Sequence, residues 1–368
     1  MAYRVIIIEN NQEMLDNMVA MLKKSSDFVV TSTYKNANAA ISQSGIFQPD
    51  LFLINVEDSE SLNMIPAFVD IFPNANILGL VSNWNADIAR DTIAGGALGC
   101  ILKPFDVQDI KEALRLYKIR GKSGLSRIIS FFSPKGRAGR TTAAAVLALA
   151  IAKKSGERVA LIDADLQFGD LPIFFDVEPK QTVVDAAQDV QLLNPLNFEP
   201  YFYKIKEGLY LLSSPDRPEY AELVETESLV NVVRLSCNLF RYVLIDLPAG
   251  FNPTSVSMCE LADTNVIMAM INNGFEIQHM KRAIGMFKTW IDYGKKIYTV
   301  FTRVNPCTEE EKLKIQAQLG FPVTNVLPNE YKMISIANSG RISKGLPMDS
   351  LMMQTISEIA DDIISGKK

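Results

Sequence analysis

Histidine and cysteine are scarce in this chain of 368 residues, which contains one histidine and four cysteines. Cys100, Cys237, Cys259 and Cys307 are widely separated, so they form neither a paired zinc spacing nor the framework of a small disulfide-rich protein. A single histidine, His279, cannot build a histidine metal cluster, and we expect it to be an ordinary helix residue. The sequence therefore predicts no zinc site and no disulfide scaffold, and it favours a cytoplasmic location.

Long apolar runs and an excess of positive charge are also missing. The most apolar helical stretch, Ala143 to Ala152, is about half as long as a membrane span. Met1 to Glu9 enters an apolar strand directly, without the features of a targeting signal. The formal net charge is −5, which argues against broad electrostatic binding to DNA. We expect no specific nucleic-acid partner and no membrane-spanning segment.

The C-terminal segment, Met352 to Lys368, has apolar residues at helical spacing together with Glu358, Asp361 and Asp362. An autonomous membrane anchor would be expected to have a basic polar face. We therefore expect a helix packed on its own domain, with a lipid-binding tail as the alternative. Any membrane association would then be peripheral or through partners.

The length and an apolar content of 48% fit two packed domains. Residues 1–118 alternate short strand signals with helical segments, which predicts a parallel sheet with helices on both faces. The segment 119–127, IRGKSGLSR, is polar and contains glycine, as expected of a linker, and 128–368 would form the second domain. The predicted fold is α/β, with two three-layer α/β/α domains. The N-terminal strand candidates are Tyr3–Ile8, Phe28–Thr33, Leu51–Val56, Ile77–Val81 and Gly99–Leu102.

A phosphate-binding loop is predicted in IISFFSPKGRAGRTT, from Ile128 to Thr142. An apolar strand runs into a basic turn with glycines and then into an alanine-rich helix. Backbone N–H groups of such a turn and the positive end of the helix can surround phosphate oxygens, and Thr141 can place its hydroxyl on magnesium. The segment departs from the pattern G-x-x-x-x-G-K-[ST], because Pro134 replaces the first glycine and Arg140 replaces the lysine.

Two later apolar runs end in aspartates. They read VALIDAD, up to Asp165, and YVLIDLPAG, which contains Asp246. Active groups of open α/β sheets lie at the carboxyl ends of strands, so we expect these ends to meet beside the loop. Asp246 can hold magnesium through water, and Asp163 or Asp165 can orient an attacking water. The alternative is that these aspartates only cap strand ends.

The segment KGRAGRTT, Lys135 to Thr142, resembles the KGGxGKTT loop of the deviant Walker A ATPases, the ParA and MinD superfamily. The two aspartate motifs resemble those that follow in this superfamily. VFTRVNP, Val300 to Pro306, and VLPNEY, Val326 to Tyr331, resemble the segments that enclose the adenine base. The resemblance extends from about Ser126 to the C-terminus.

The resemblance implies ATP and Mg²⁺ as cofactors, and a homodimer in which Lys135 reaches the phosphates of the partner subunit. It assigns Thr141 to magnesium and Thr142 to the α-phosphate. Arg303 is a weaker adenine candidate and could instead be a surface arginine packed along its own stem. The remaining implied nucleotide-binding residues are Gly136, Arg137, Ala138, Gly139, Arg140, Pro328 and Asn329.

Two replacements within this loop predict slow chemistry. Arg140 keeps the positive charge of the usual lysine but is planar and bulkier, and Arg137 carries a Cβ where glycine could adopt positive φ. We expect ATP binding with slow or absent hydrolysis, and a steady-state rate on the order of 10 per second or more would refute this. The alternative is a loop that has lost nucleotide binding.

The pattern of strand and helix signals in residues 1–118, which ends in Lys103, Pro104 and Phe105, resembles the receiver domain of two-component response regulators. Receivers hold magnesium and accept a phosphoryl group at the ends of their first and third strands. Here those ends have Glu9 and Asn55, and an amide cannot serve as the carboxylate nucleophile. The sequence therefore predicts a receiver-like, flavodoxin-like domain that is not phosphorylated. Ser82 and Lys103 match the other switch positions of that family and would make polar contacts within the fold.

The fusion of a receiver-like domain to an atypical ParA/MinD-like ATPase resembles the TadZ/CpaE family. That resemblance implies an ATP-binding dimeric scaffold that localises and recruits Tad (Flp) pilus assembly machinery, with a polar location in the cell. The implied partners are the Tad secretion ATPase and inner-membrane assembly proteins. Two alternatives stay open, a response-regulator-like signalling protein and a metabolic P-loop enzyme. Phosphorylation and DNA-binding tests would identify the first, and metal-dependent turnover of a small metabolite the second.

Overall fold

The structure is a computed structural model that describes residues 2–43, 47–120, 126–272, 274–290, 292–330, 335–336, 339–344 and 350–367. The chain divides into two compact units. One consists mainly of the residues up to Ser126, and the other contains most of the residues from Arg127 onward. Most of the predicted linker, 121–125, lies outside the described residues.

The N-terminal unit is built on a five-stranded parallel sheet with the order β2-β1-β3-β4-β5. This is the order of flavodoxin-like sheets, whose ligand crevice lies at the switch point between β1 and β3. The strands are β1 (Tyr3–Ile8), β2 (Phe28–Tyr34), β3 (Leu51–Asn55), β4 (Asn76–Val81) and β5 (Gly99–Leu102). The helices are α1 (Gln12–Lys23), α2 (Ala37–Gln43), α3 (Ser59–Ile71), α4 (Ala86–Ala94) and α5 (Val107–Arg120).

Local sequence explains why this unit folds as it does. Every residue of β3 and β4 is buried, as expected for strands covered by helices on both faces. Three helices begin at side-chain caps, since Asn11, Asp58 and Asn85 each accept a hydrogen bond from a backbone N–H of the first turn. The strands lie within a residue or so of their predicted positions.

The second unit contains an eight-stranded sheet with the order β13-β12-β11-β6-β10-β7-β9-β8, and only β8 runs antiparallel to its neighbour. The predicted α/β fold is thus confirmed. The strands are β6 (Arg127–Phe132), β7 (Val159–Asp163), β8 (Tyr203–Lys206), β9 (Leu209–Leu212), β10 (Tyr242–Asp246), β11 (Thr264–Met270), β12 (Ile297–Thr302) and β13 (Asn325–Val326). The helices after β6 along the chain are α6 (Arg140–Ser155), α7 (Leu171–Phe175), α8 (Val183–Asp189), α9 (Pro195–Phe198), α10 (Thr226–Ser236), α11 (Pro253–Leu261), α12 (Phe275–Phe287), α13 (Glu309–Leu319) and α14 (Leu351–Ser365). Of these, α9 is grouped mainly with the first unit.

Prolines and polar residues between 181 and 222 suggest loops, but the structure has helices α8 and α9 there and the hairpin of β8 and β9. The signal for the hairpin is the two-residue turn between YKIK and LYLL, in which Gly208 adopts a φ of 77°. β9 also pairs in parallel with β7. The hairpin therefore extends the sheet by two strands on the β7 side.

Helix α6 is buried at nearly every position from Ala143 to Ala152. The small alanine side chains let it lie close to the sheet on one side while α14 covers it on the other. Ile356, Ile359 and Ile363 of α14 belong to the same buried cluster, so the C-terminal helix is packed on its own unit. None of the helices in the described part of the chain is both long and apolar enough to cross a membrane.

Shortening Ile359 to alanine tests how strongly α14 supports α6. Ile359 is 2% exposed, and such a truncation leaves a cavity that costs about 3 kcal/mol. We expect this loss in urea unfolding followed by circular dichroism. Leu313→Ala, on the exposed face of α13 with 54% of Leu313 exposed, should change stability by less than about 0.5 kcal/mol. Equal losses in both variants would contradict the packing role of α14.

Candidate nucleotide-binding site

The predicted phosphate loop connects β6 to α6. Gly139 occupies the N-cap position of α6 with a φ of 81°, a conformation that glycine adopts without steric cost. Arg137 has a φ of 69°, so this residue adopts the left-handed conformation despite its Cβ, at a cost of about 1 kcal/mol. The backbone thus adopts the conformation of a phosphate-binding loop, although glycine at position 137 would adopt this positive φ at a lower energetic cost than Arg137 does.

The predicted aspartates lie at neighbouring strand ends. In the sheet, β10 lies between β6 and β7. Asp246 is paired in register with Phe131 of β6 on one side and with Asp163 of β7 on the other. Both aspartates are fully buried. The parallel topology therefore brings the loop and both aspartate motifs to one edge of the sheet.

Arg140 is the cation of this cluster. Its Nε lies 2.9 Å from Asp246 Oδ1 and its Nη2 lies 3.3 Å from Asp165 Oδ2. Only 9% of the Arg140 side chain is exposed. Burial raises the pKa of Asp246, while the charge of Arg140 opposes that rise. The forked donors of arginine suit this arrangement, because one guanidinium contacts two carboxylates at once.

Asp163 is held by different partners. Its Oδ2 accepts hydrogen bonds from Ser214 Oγ at 3.1 Å and from the Leu171 backbone N–H at 3.3 Å. A Cβ on Gly169 would overlap both Asp163 and Ser214, so only glycine fits there. Burial, followed by the charge of Asp246, raises the pKa of Asp163 well above its usual value. Ser214 and Gly169 were not predicted from the sequence. The available signal was the position of Ser214 shortly after the end of β9, since Asp163 and Asp246 are the last residues of β7 and β10.

A cavity of about 490 Å³ opens over the loop. Eleven predicted residues line it, and they come from the loop, the β7 end and the segments after β12 and β13. Phe168, Phe174, Glu330 and Met352 also line it and were not predicted. Thr302 Oγ1 donates to the Ala138 carbonyl at 3.2 Å, which ties the end of β12 to the loop. The predicted lining residues are Gly136, Arg137, Ala138, Gly139, Arg140, Thr141, Thr142, Asp165, Arg303, Pro328 and Asn329.

Three predicted site residues do not line this cavity. Asp163 and Asp246 are buried beneath it. Lys135 is exposed, at the start of the loop. Tyr331, the last residue of the VLPNEY segment, lies outside the described residues. One exposed lysine and two buried carboxylates thus lie outside the cavity lining.

The residues fit a nucleotide and a divalent cation. Pro328 and Leu327 contribute apolar surface to the cavity, and Arg140 to Thr142 bring the positive end of α6 to its lining. Asp246 Oδ2 is buried and accepts no hydrogen bond from the described residues. A buried carboxylate oxygen without a donor is a good ligand for a hard cation, directly or through water.

The family comparison agrees with this geometry. Residues 129–342, more than half of the chain, match the family described as the CobQ/CobB/MinD/ParA nucleotide binding domain. The chain belongs to this family. Its CobQ/CobB/MinD/ParA domain contains the loop, both aspartate motifs and the wall from β12 to Glu330.

Individual relatives cover different shares of the chain. An uncharacterized ATP-binding protein of Methanocaldococcus jannaschii is 34% identical over 136 residues, which are 37% of this chain and half of that relative's length. The septum site-determining protein MinD of Synechocystis is 27% identical over 242 residues, 63% of this chain and 88% of that protein. The structure of MinD from Pyrococcus horikoshii complexed with Mg-ADP has a TM-score of 0.55 and 21% identity, covering 66% of this chain and 99% of that one. The last match concerns the fold.

Arg140→Met should destabilise the second unit by about 3 kcal/mol, because a buried carboxylate loses its cation. Adding Asp246→Asn removes the uncompensated charge, so the double variant should be more stable than the sum of the two single losses predicts. Urea unfolding followed through Trp290, in a Trp84→Phe background, measures this. Arg282→Met, an exposed arginine on α12, serves as the control. Strict additivity would argue against the Arg140–Asp246 pair.

Asp163→Asn should change how stability depends on pH. A carboxyl with a raised folded-state pKa contributes stability below its unfolded value, about 3.9, and loses it as pH rises through the folded value. Asparagine does not ionise, so the variant should gain stability relative to wild type as pH rises from about 4 toward neutrality. Unfolding curves across that range measure the difference. Asp216→Asn, at an exposed position, should show no such trend; a parallel pH profile for Asp163→Asn and wild type would contradict the raised pKa.

Proposed function

We propose that this protein is an ATP-binding dimeric switch of the TadZ/CpaE type, which positions and recruits the Tad (Flp) pilus assembly machinery. The single observation behind the proposal is the pairing, on one chain, of a nucleotide-site cavity with a flavodoxin-like unit that has Asn55 at the end of β3. A CobQ/CobB/MinD/ParA domain supports a nucleotide-dependent scaffold or positioning role. The pilus assignment is the finer step, and it rests on the resemblance of the fused units to that family.

Nucleotide binding uses the cavity residues. The N–H groups from Gly136 to Thr142 surround the phosphates, and Arg140 contributes charge there. Arg303, Pro328 and Asn329 contact the base. Thr141 and Asp246 would hold Mg²⁺, which supplies positive charge to the phosphate oxygens. Asp163 and Asp165 orient water, and hydrolysis is slow or absent because Arg140 already pairs with Asp246 and Asp165.

Dimerisation uses Lys135. Its side chain is exposed and lies outside the cavity lining, which suits a residue that contacts the nucleotide of a second copy. ATP then stabilises the dimer, since a ligand bound by both subunits favours the associated state. The dimer presents a surface that the monomer lacks, and this surface recruits the Tad secretion ATPase and the inner-membrane assembly proteins. The chain works from the cytoplasmic side, at a cell pole.

The signalling alternative needs a phosphoryl acceptor at the end of β3. Asn55 is 6% exposed there and donates to Glu9 Oε1 at 3.1 Å, so an amide engaged in the fold occupies the acceptor position. An amide lacks the nucleophilic oxygen that aspartyl phosphate formation requires. This argues for a structural or interaction role of the N-terminal unit.

Lys135→Ala tests the dimer switch. We expect the monomer still to bind ATP, since its own cavity is intact, but with a lower apparent affinity than wild type, because binding is no longer linked to dimerisation, while the ATP-dependent increase in molecular mass is lost. Calorimetry measures the binding and light scattering after size exclusion measures the mass. Lys153→Ala, an exposed lysine at the end of α6, should dimerise like wild type. If wild-type protein binds no ATP, the proposed function is wrong. If both Lys135→Ala and Lys153→Ala fail to dimerise, the proposed role of Lys135 at the interface is wrong.

The pilus role is tested by recruitment. Immobilised wild-type protein with ATP should retain the purified Tad secretion ATPase of the same cells, and Lys135→Ala should retain much less. Steady-state ATP turnover of wild type should stay well below about 10 per second. Equal retention with and without ATP, at wild-type dimer content, would contradict the switch mechanism.

A further inference from the structure

The strand ends of the N-terminal unit converge on one buried lysine. Lys103, directly after β5, has its Nζ 3.0 Å from Glu9 Oε2 at the end of β1. The side chains of Lys103 and Glu9 are 6% and 1% exposed. Asn55, the last residue of β3, donates to the other oxygen of Glu9. Glu9 alone therefore gives Lys103 one fully buried counter-charge.

Glu57 supplies a second carboxylate to the same lysine. Its Oε2 lies 3.1 Å from Lys103 Nζ and accepts from Ser82 Oγ at 3.0 Å. Its Oε1 accepts from the Ser82 backbone N–H at 2.7 Å. Three donors, an ammonium, a hydroxyl and an amide, thus converge on one carboxylate. Partial burial pushes the pKa of Glu57 upward, but the bonds from Ser82 and Lys103 outweigh it and hold the pKa below its usual value.

This donor set is that of an oxyanion pocket. An ammonium, a hydroxyl and a backbone N–H at the carboxyl ends of parallel strands match the oxygens of a small tetrahedral anion. Lys103 and Ser82 are fixed at the ends of β5 and β4. Glu57, by contrast, lies in the segment between β3 and α3, and its side chain is 34% exposed. The donors of Ser82 and Lys103 therefore lie at strand ends of the sheet, whereas the carboxylate that they bind belongs to Glu57, a partly exposed loop residue.

Charge supports the same interpretation. Lys103 with Glu9 and Glu57 carries a net charge of about −1. Without Glu57, Lys103 and Glu9 together are neutral, and the Ser82 hydroxyl, the Ser82 N–H and the Lys103 ammonium lose the carboxylate that accepts from them. Among the described residues, no group of three acidic, histidine or cysteine side chains could hold a metal ion here. The Lys103 ammonium occupies the space between the two carboxylates.

We propose that Glu57 is a tethered anion that fills an oxyanion pocket formed by Ser82 and Lys103, and that this pocket accepts a small tetrahedral oxyanion only when Glu57 is removed. The N-terminal unit is thereby fixed in an anion-filled state that does not respond to external phosphate. This inference concerns the N-terminal unit alone and is independent of nucleotide binding by the second unit.

Trp84 offers a local probe, since it lies two residues after Ser82 and packs against the core of this unit. The chain has two tryptophans, so replacing Trp290 by Phe leaves Trp84 as the sole reporter in the full-length protein. In this background, Glu57→Ala is titrated with inorganic phosphate while Trp84 fluorescence and the thermal midpoint of its signal are recorded. We expect a saturable fluorescence change and a midpoint that rises by several degrees, with neither response from the parent carrying Glu57.

Two further variants make the test specific. Adding Ser82→Ala to Glu57→Ala should weaken phosphate binding at least fivefold, because the Ser82 hydroxyl, one of the three donors of the pocket, is removed while the backbone N–H remains. Glu13→Ala, which removes an exposed carboxylate from α1 of the same unit, should respond no more than the parent. If Glu57→Ala folds only with phosphate present, the proposal is supported.

Should Glu57→Ala fail to fold under either condition, Glu57→Gln takes its place, because glutamine keeps the size and removes the charge. It should bind phosphate more weakly than an open pocket but more strongly than wild type. Folded Glu57 variants that ignore phosphate, a parent that binds it equally well, or an equal response from Glu13→Ala would each overturn the proposal.

Discussion

The buried pairing of Arg140 with Asp246 is the interaction on which the second unit depends. Two aspartates, Asp163 and Asp246, are excluded from water at adjacent strand ends, and such charges are costly unless they are neutralised or paired. The structure does both. Arg140 spans Asp246 and Asp165, and Asp163 has a raised pKa among hydrogen-bond donors. Arg140 thus neutralises buried carboxylate charge, and the same two ion pairs occupy the guanidinium of the loop.

Much of the fold followed from the sequence because buried parallel strands are long apolar runs. β3 and β10 have no exposed residue, and their boundaries were readable from hydrophobicity alone. The region around β8 and β9 was not, since β8 is only four residues long and three of these residues are exposed. Its pairing depends on a turn at Gly208 and on the free edge of β9, and a propensity argument cannot identify an edge that forms only in the assembled sheet.

The site was predictable to the extent that motif residues share one strand edge. The loop from Gly136 to Thr142 and the segment near Pro328 line one cavity. Ser214 also follows a strand at this edge, but that strand, β9, was not predicted from the sequence, and Gly169 is identified only by its close packing against Asp163 and Ser214. Likewise, the sequence identified Asn55 as an unusual acceptor residue, but only the fold reveals which side chain fills the neighbouring space.

The hydrogen bond from Thr302 to the Ala138 carbonyl joins the two walls of the cavity. In the sheet, β11 lies between β6, which leads into the loop, and β12, so this bond connects the loop to a strand that is not the neighbour of β6. A displacement of the loop backbone at Ala138 would therefore stretch or break the bond and act on the end of β12. The loop and the end of β12 are in this way mechanically coupled across an intervening strand.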